Sequence, residues 1–172
     1  MASWKSTITR KLCEIFPTLN CVNADLLRDY FRKNFPYYRD LDESYPHPKT
    51  TALNKIIEPL RKDILLLLIQ EGVPIILNHS WLYPEVRKEV LDLVPDEIYT
   101  KILIQSQVPD EDLEQRIKKR DREDMVSKNW LKFHLEMRKH LYQEVSESEA
   151  EIVKVYNQNN FDEIEELIHT YI

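Results

Sequence analysis

Lys5-Ser6-Thr7 stands at the head of a helix. Residues 5–16, KSTITRKLCEIF, set Ile8, Leu12, Ile15 and Phe16 at helical spacing. A lysine followed by a hydroxyl residue at that position is the tail of a phosphate-gripping loop, G-x-x-x-x-G-K-[ST]. In such a loop backbone N–H groups wrap the phosphates, the lysine reaches the terminal ones, and the hydroxyl binds Mg²⁺. The helix that follows turns its positive end toward the anion. Here Trp4 takes the second glycine position, and the first glycine would precede Met1. On these residues alone K-S-T also reads as a Ser or Thr N-cap on a surface helix.

A second group with chemical potential lies in residues 109–124, PDEDLEQRIKKRDRED. Arg116 and Arg120 sit at i and i+4, so a helix carries both on one face, with Lys119 and Arg122 nearby. The competing reading is a solvated helix laced with pairs such as Asp112 with Arg116. Asp25 and Arg28, three apart in NADLLR, form a third group, and Asp25 alternatively caps the next helix. The histidines carry less: His134 and His140 are six apart, which is no metal spacing on a helix. His79 follows a strand, His47 lies among prolines and tyrosines, and His169 is near the C-terminus. Tyr37, Tyr38 and Tyr45 either line a substrate pocket or simply pack. No Ser-His-Asp arrangement and no HExxH is visible.

These residues need elements to position them. A helix over 5–16 ends at Pro17, and residues 19–23, LNCVN, form a strand. A helix over 24–33 turns Leu27, Tyr30 and Phe31 to one side, and a Pro- and Tyr-rich loop covers 35–48. Residues 50–70 form a long helix with a kink expected at Pro59 and a stop at Gly72. The reading continues with a strand over 73–77, a helix over 84–93, a strand over 99–105, and helices over 109–124 and 128–145. A strand over 152–156 and a helix over 161–172 close the chain. Alternation of this kind predicts an α/β fold with a largely parallel sheet, as a single domain over 1–172.

Composition narrows the function classes. The 172 residues are 42% hydrophobic and 31% charged, with a net charge of −6 and a pI near 5.4. An acidic chain is poorly suited to gripping nucleic acid by phosphate neutralisation along its length, though a local basic pocket for one nucleotide is compatible with it. Cys13 and Cys21 have neither CxxC nor zinc spacing, which predicts a reduced, cytoplasmic setting. The longest apolar run, 64–69, is far too short to span a bilayer, and the first is broken by Lys5, Arg10 and Lys11, unlike a signal peptide. A single glycine, against an average usage of about 7%, rules out a site that needs several.

The order KSTITRKL, CVNADLLRDYF, EGVPIILNHSWLYPEVRKEV, KILIQSQVPDEDLEQRIKKRD resembles the small P-loop kinases over nearly the whole chain. The likeness is to polynucleotide kinase and the AAA-like ATP-binding kinase domains, with zeta toxins and chloramphenicol phosphotransferase as cousins. It implies a three-layer, P-loop NTPase-like parallel sheet whose first, central strand is missing from this sequence. By resemblance Trp4, Lys5, Ser6 and Thr7 form the remaining half of the ATP-binding loop, with Ser6 on Mg²⁺. Asp25 would take the proton from an acceptor hydroxyl, and Arg28 would hold an acceptor phosphate or carboxylate. Arg116 and Arg120 would close over ATP from a lid at about 113–130. In the family the strand ending before Asn78 and His79 usually ends in an Asp near the metal, and here that charge is lost.

The resemblance thus implies an ATP- and Mg²⁺-dependent phosphotransferase acting on a hydroxyl of a small molecule or a nucleic-acid end, with oligomerisation left open. One alternative is a degenerate, non-catalytic P-loop fold that binds nucleotide or protein. Another is an α/β domain outside the kinases.

Overall fold

The computed structural model describes residues 5–38, 48–78, 83–109, 111–112, 115, 140, 143–157 and 159–172. Helix α1 (Lys5–Ile15) buries Ile8 and Leu12, which lie one turn apart on a single stripe. Ile15 falls off that stripe and is 38% exposed. Phe16 is buried just past the helix, its N–H donating to the Leu12 carbonyl at 2.8 Å, and Pro17 forbids another turn.

Strand β1 (Asn20–Asn23) leads without a break into α2 (Ala24–Asn34), and a short 3₁₀ turn follows at Pro36–Tyr38. Helix α3 (Pro48–Gln70) runs through Pro59 as one continuous helix, with the proline ring on the exposed side. Its end is set by Gly72, whose φ of 64° is left-handed. The Gly72 N–H donates to the Ile69 carbonyl at 3.1 Å and the Val73 N–H to that of Leu68 at 3.4 Å. That is the paired closure a glycine at C′ permits. Strand β2 (Ile75–Asn78), helix α4 (Pro84–Leu91), strand β3 (Ile102–Ser106), strand β4 (Ile152–Tyr156) and helix α5 (Phe161–His169) complete the described elements.

Every strand pair is parallel. β1 runs beside β2 with Asn20 opposite Ile75 and Asn23 opposite Asn78. β3 runs beside β4 with Ile102 opposite Ile152 and Ser106 opposite Tyr156. The two pairs form separate two-stranded sheets. They are held by one core, in which Ile8, Leu12 and Phe16 of the α1 region meet Val108, Tyr156, Ile164 and Ile168. Ile76 of β2 and Ile102 and Ile104 of β3 pack against that same cluster, so α1 serves both sheets. A smaller cluster of Ala24, Leu53 and Ile57 joins α2 to α3, backed by Leu27, Phe31 and Tyr38. Tyr30, expected on that face, is 60% exposed instead.

The result is an α/β fold with short parallel sheets. Several helices end earlier than their periodicity suggests, α4 among them, which stops at Leu91 rather than 93. Residues 143–146 are not helical, although the pattern predicts helix to 145. The carbonyls of Gln143 and Glu144 instead accept from the Arg87 guanidinium at 3.1 and 3.2 Å, which competes with helical bonding. α5 stops at His169, and its last carbonyls take turn bonds from Thr170 and Tyr171.

Candidate functional site

Parallel strands gather chemistry at their carboxyl ends, because each strand hands over there to the head of a helix. In the β1–β2 sheet the paired ends are Asn23 and Asn78. Asn23 accepts the Asp25 N–H on its side-chain oxygen at 2.9 Å and is the N-cap of α2. Capping therefore falls to Asn23, and Asp25 is released from the duty that its sequence position suggested. Its carboxyl, 73% exposed, accepts from Arg28 at 2.6 Å through Oδ1 and has room for a further hydrogen bond.

Arg28 is fixed from three sides. Beside Asp25, its Nε donates to Asn54 Oδ1 at 2.9 Å, and a terminal nitrogen lies 3.7 Å from Glu58. Asn54 and Glu58 sit one turn apart on α3, so a single face of that helix orients the guanidinium. Sequence reading named Arg28 and missed its two holders. Their i,i+4 spacing was the available signal, but only the packing of α2 on α3 reveals which arginine they face.

Lys5 opens α1 and is half-buried. Burial lowers the pKa of its ammonium, because a charge loses hydration there, and the negative charge of Asp25 opposes that effect. Lys5 and Asp25, twenty residues apart in sequence, thus share one electrostatic environment. Ser6 is exposed beside Lys5 and Thr7 is half-buried in the same first turn. The structure brings together Lys5, Asp25 and Arg28, with Ser6 and Thr7 following Lys5 in the helix. Trp4, Arg116, Arg120, Lys119 and Arg122 lie outside the described residues, as do His79, His47, His134 and Tyr45.

The remaining candidates are bland. His140 is exposed. His169 packs edge-on against Phe16 with centroids 4.6 Å apart and lies 3.9 Å from Glu165. Tyr38 meets Phe31 edge-on in the α2–α3 cluster, and Tyr37 is 63% exposed.

The donor set suits an anion better than a preformed metal cage. Asn78 is 8% exposed, and its Nδ2 has no hydrogen-bond partner among the described residues. A buried amide donor of that kind fits a phosphate oxygen or a water. No group of three or more His, Cys, Asp or Glu among the described residues is placed to hold a metal ion. A Mg²⁺ here would rest on the Ser6 hydroxyl and on oxygens that a nucleotide supplies. No described helix is long and apolar enough to cross a membrane.

A cavity of about 510 Å³ opens between α3 and α4. Leu77 of β2, Leu65, Val90 and Leu93 give it apolar walls, and Glu58 and Arg61 stand at its polar side. Glu58 ties this space to the Arg28 cluster.

No curated protein and no solved structure matches the chain significantly. A family model described as AAA domain matches residues 1–143, a span that includes Lys5, Asp25, Arg28 and the segment carrying Arg116 and Arg120. The match excludes the reading as an α/β domain outside this family, and the chain belongs to the AAA domain family, a P-loop, kinase-like family of nucleotide-binding folds.

Proposed function

We propose that this chain is built for phosphoryl transfer from ATP to an acceptor hydroxyl. The observation that carries the reading is the electrostatic meeting of Lys5, at the head of α1, with Asp25, at the head of α2. One residue suits a phosphate, the other suits a proton, and phosphoryl transfer needs both within reach of one ligand.

In this reading the N–H groups of the first turn of α1 and the Lys5 ammonium hold the β and γ phosphates. The desolvated Lys5 gains a counter-ion when the nucleotide binds, which offsets the penalty that burial places on its charged form. The Ser6 hydroxyl would help hold Mg²⁺, which when bound would offset the charge of the phosphates. Arg28, pre-oriented by Asn54 and Glu58, takes an anionic group of the acceptor and fixes its hydroxyl near Asp25. The acceptor oxygen forms a bond to the γ phosphorus while the bond to the ADP oxygen breaks. Asp25 accepts the proton released from the hydroxyl, and ADP leaves with the electron pair. Arg116 and Arg120 close over the transferring group as a lid. The cavity between α3 and α4 is the space we assign to the acceptor.

A parallel strand between β2 and β3 would join the two sheets into one, and Ile76, Ile102 and Ile104 already pack on a common cluster there.

Calorimetric titration with ATP-Mg²⁺, on this chain and on Lys5→Ala, tests the reading. Saturable binding that the substitution abolishes supports it. Absence of binding at millimolar ATP overturns it for this chain. Binding without transfer to any hydroxyl acceptor would favour the non-catalytic alternative, a nucleotide-binding module.

A further inference from the structure

The lining of the cavity between α3 and α4 narrows the kind of molecule it takes. A volume of about 510 Å³ is that of a pocket for one small molecule. Its apolar wall is aliphatic, made by Leu65 of α3, Leu77 of β2, Val90 of α4 and Leu93 just past that helix. Leu65 and Val90 are only 4% and 9% exposed, so the wall is rooted in the interior. The charged lining balances, with Glu58 and Glu89 against Arg61 and Lys62. None of the described lining residues is aromatic.

These features argue against a nucleic-acid end as the occupant. A strand is held by a run of basic groups along its phosphates and by flat rings on which its bases stack. A bare sugar fits no better, because its hydroxyls would lie unpaired against aliphatic side chains. A hydrocarbon chain suits the wall.

The polar side is set by Glu58. Its Oε2 accepts from Arg61 Nε at 3.1 Å and from a terminal nitrogen of Arg61 at 2.7 Å. Its Oε1 lies 3.7 Å from Arg28, which donates to Asp25 at 2.6 Å. The Glu58 side of the cavity is thus one side chain away from the Arg28–Asp25 pair. A guanidinium suits a carboxylate, and the Asp25 carboxyl suits a hydroxyl proton. Because Arg28 and Asp25 are hydrogen-bonded neighbours, the two groups they serve sit close together on the ligand, as in a β-hydroxy acid. We propose that this cavity takes a small hydroxy acid with an apolar chain. The carboxylate meets Arg28, the hydroxyl faces Asp25, and the chain lies against Leu65, Leu77, Val90 and Leu93.

Occupancy of the cavity stands by itself, whereas the acceptor role of the ligand rests on the phosphoryl-transfer reading. In that role the hydroxyl oxygen bonds to the γ phosphorus of ATP, the bond to ADP breaks, and Asp25 takes the proton. The products are a phosphorylated hydroxy acid and ADP.

The test is calorimetry of the intact chain with β-hydroxy acids of rising length, from hydroxybutyrate to hydroxydecanoate, alongside ATP-Mg²⁺. Affinity should rise by roughly two- to fourfold per added methylene and level off when the cavity is full. Leu93→Trp, which narrows the cavity, should move the levelling-off to shorter chains. Leu65→Ala, which widens it, should move it to longer ones, and thermal melting checks that each variant is folded. An affinity flat along the series in the native chain overturns the proposal. So does a levelling-off that neither folded variant moves, or an oligonucleotide with a free hydroxyl end that displaces hydroxydecanoate. A flat series beside intact ATP-Mg²⁺ binding overturns this inference alone. A rising series in a chain that binds no ATP-Mg²⁺ supports the cavity assignment and overturns the phosphoryl-transfer reading.

Discussion

Two arginine–carboxylate pairs divide the molecule. Arg28 meets Asp25 at 2.6 Å near the proposed site, with side chains 22% and 73% exposed. Arg87 of α4 meets Glu149, with side chains 2% and 13% exposed. Four of the five Arg87 donors are engaged: Nε and one terminal nitrogen go to the two Glu149 oxygens, and two further N–H groups go to the carbonyls of Gln143 and Glu144. Glu149 in turn accepts the Ser146 N–H at 2.8 Å. That pair fastens α4 to the segment before β4 and is largely shut away from solvent. The Arg28 pair is half in solvent, and its carboxylate is open to another donor. The same two functional groups are structural when desolvated and saturated, and available for chemistry when neither.

The comparison breaks first at Arg87. Replacing it with Ala leaves Glu149 a poorly hydrated, unpaired charge and two carbonyls without donors. We expect a loss of about 3–5 kcal/mol in unfolding free energy, measured by urea denaturation. A loss below about 1 kcal/mol would mean the pair is a surface feature after all.

On the other side, Asp25→Asn should leave ATP binding intact while lowering kcat for hydroxyl phosphorylation by roughly 100-fold or more. Arg28→Lys should act mainly on the acceptor KM, because a lysine cannot reproduce the fork that Asn54 and Asp25 hold. Steady-state kinetics with the acceptor varied separates the two.

Acid sharpens the contrast. The hydrogen bond from Arg87 holds the Glu149 carboxyl below its usual range, against the opposing effect of burial. Its folded pKa is thus lower than its unfolded one, and the unfolded chain binds more protons between the two values. The stabilisation is fully present above the unfolded carboxylate pKa and is lost as pH falls through the folded one. Acid titration of stability should show this slope in the native chain and lack it in Glu149→Gln.

For Lys5 the sign is opposite for the ligand. Its ammonium pKa is lowered, so anion binding should weaken as pH rises through that lowered value. Calorimetry of ATP-Mg²⁺ binding as pH is raised reads the effect, and an affinity that does not fall would break the reading. The smallest effect we expect is that of Asp25→Asn on stability, within roughly 0.5 kcal/mol, because exposed ion pairs contribute little.

Periodicity and punctuation made most of the elements legible. Pro17 and Gly72 stop helices for backbone reasons that act locally, and the runs LNCVN, VPIIL, YTKILIQ and IVKVY read as strands, the second and third of which the structure shifts to Ile75–Asn78 and Ile102–Ser106. Lys5, Asp25 and Arg28 were legible as candidates because their types and order match a known chemistry. Asn23 as the cap of α2, Asn54 and Glu58 as holders of Arg28, and the buried donor of Asn78 were not, since their meaning depends on what faces them.

What the sequence by itself determined is therefore the set of elements, their parallel α/β order and the P-loop kinase-like character of the first helix. Those follow from local rules, in which side-chain period, proline, glycine and the charge at a helix head act within a few residues. Which arginine is saturated and which is available was decided only by the tertiary structure. Desolvation and hydrogen-bond saturation depend on groups far apart in the chain, as when Glu149, sixty-two residues from Arg87, completes its fork.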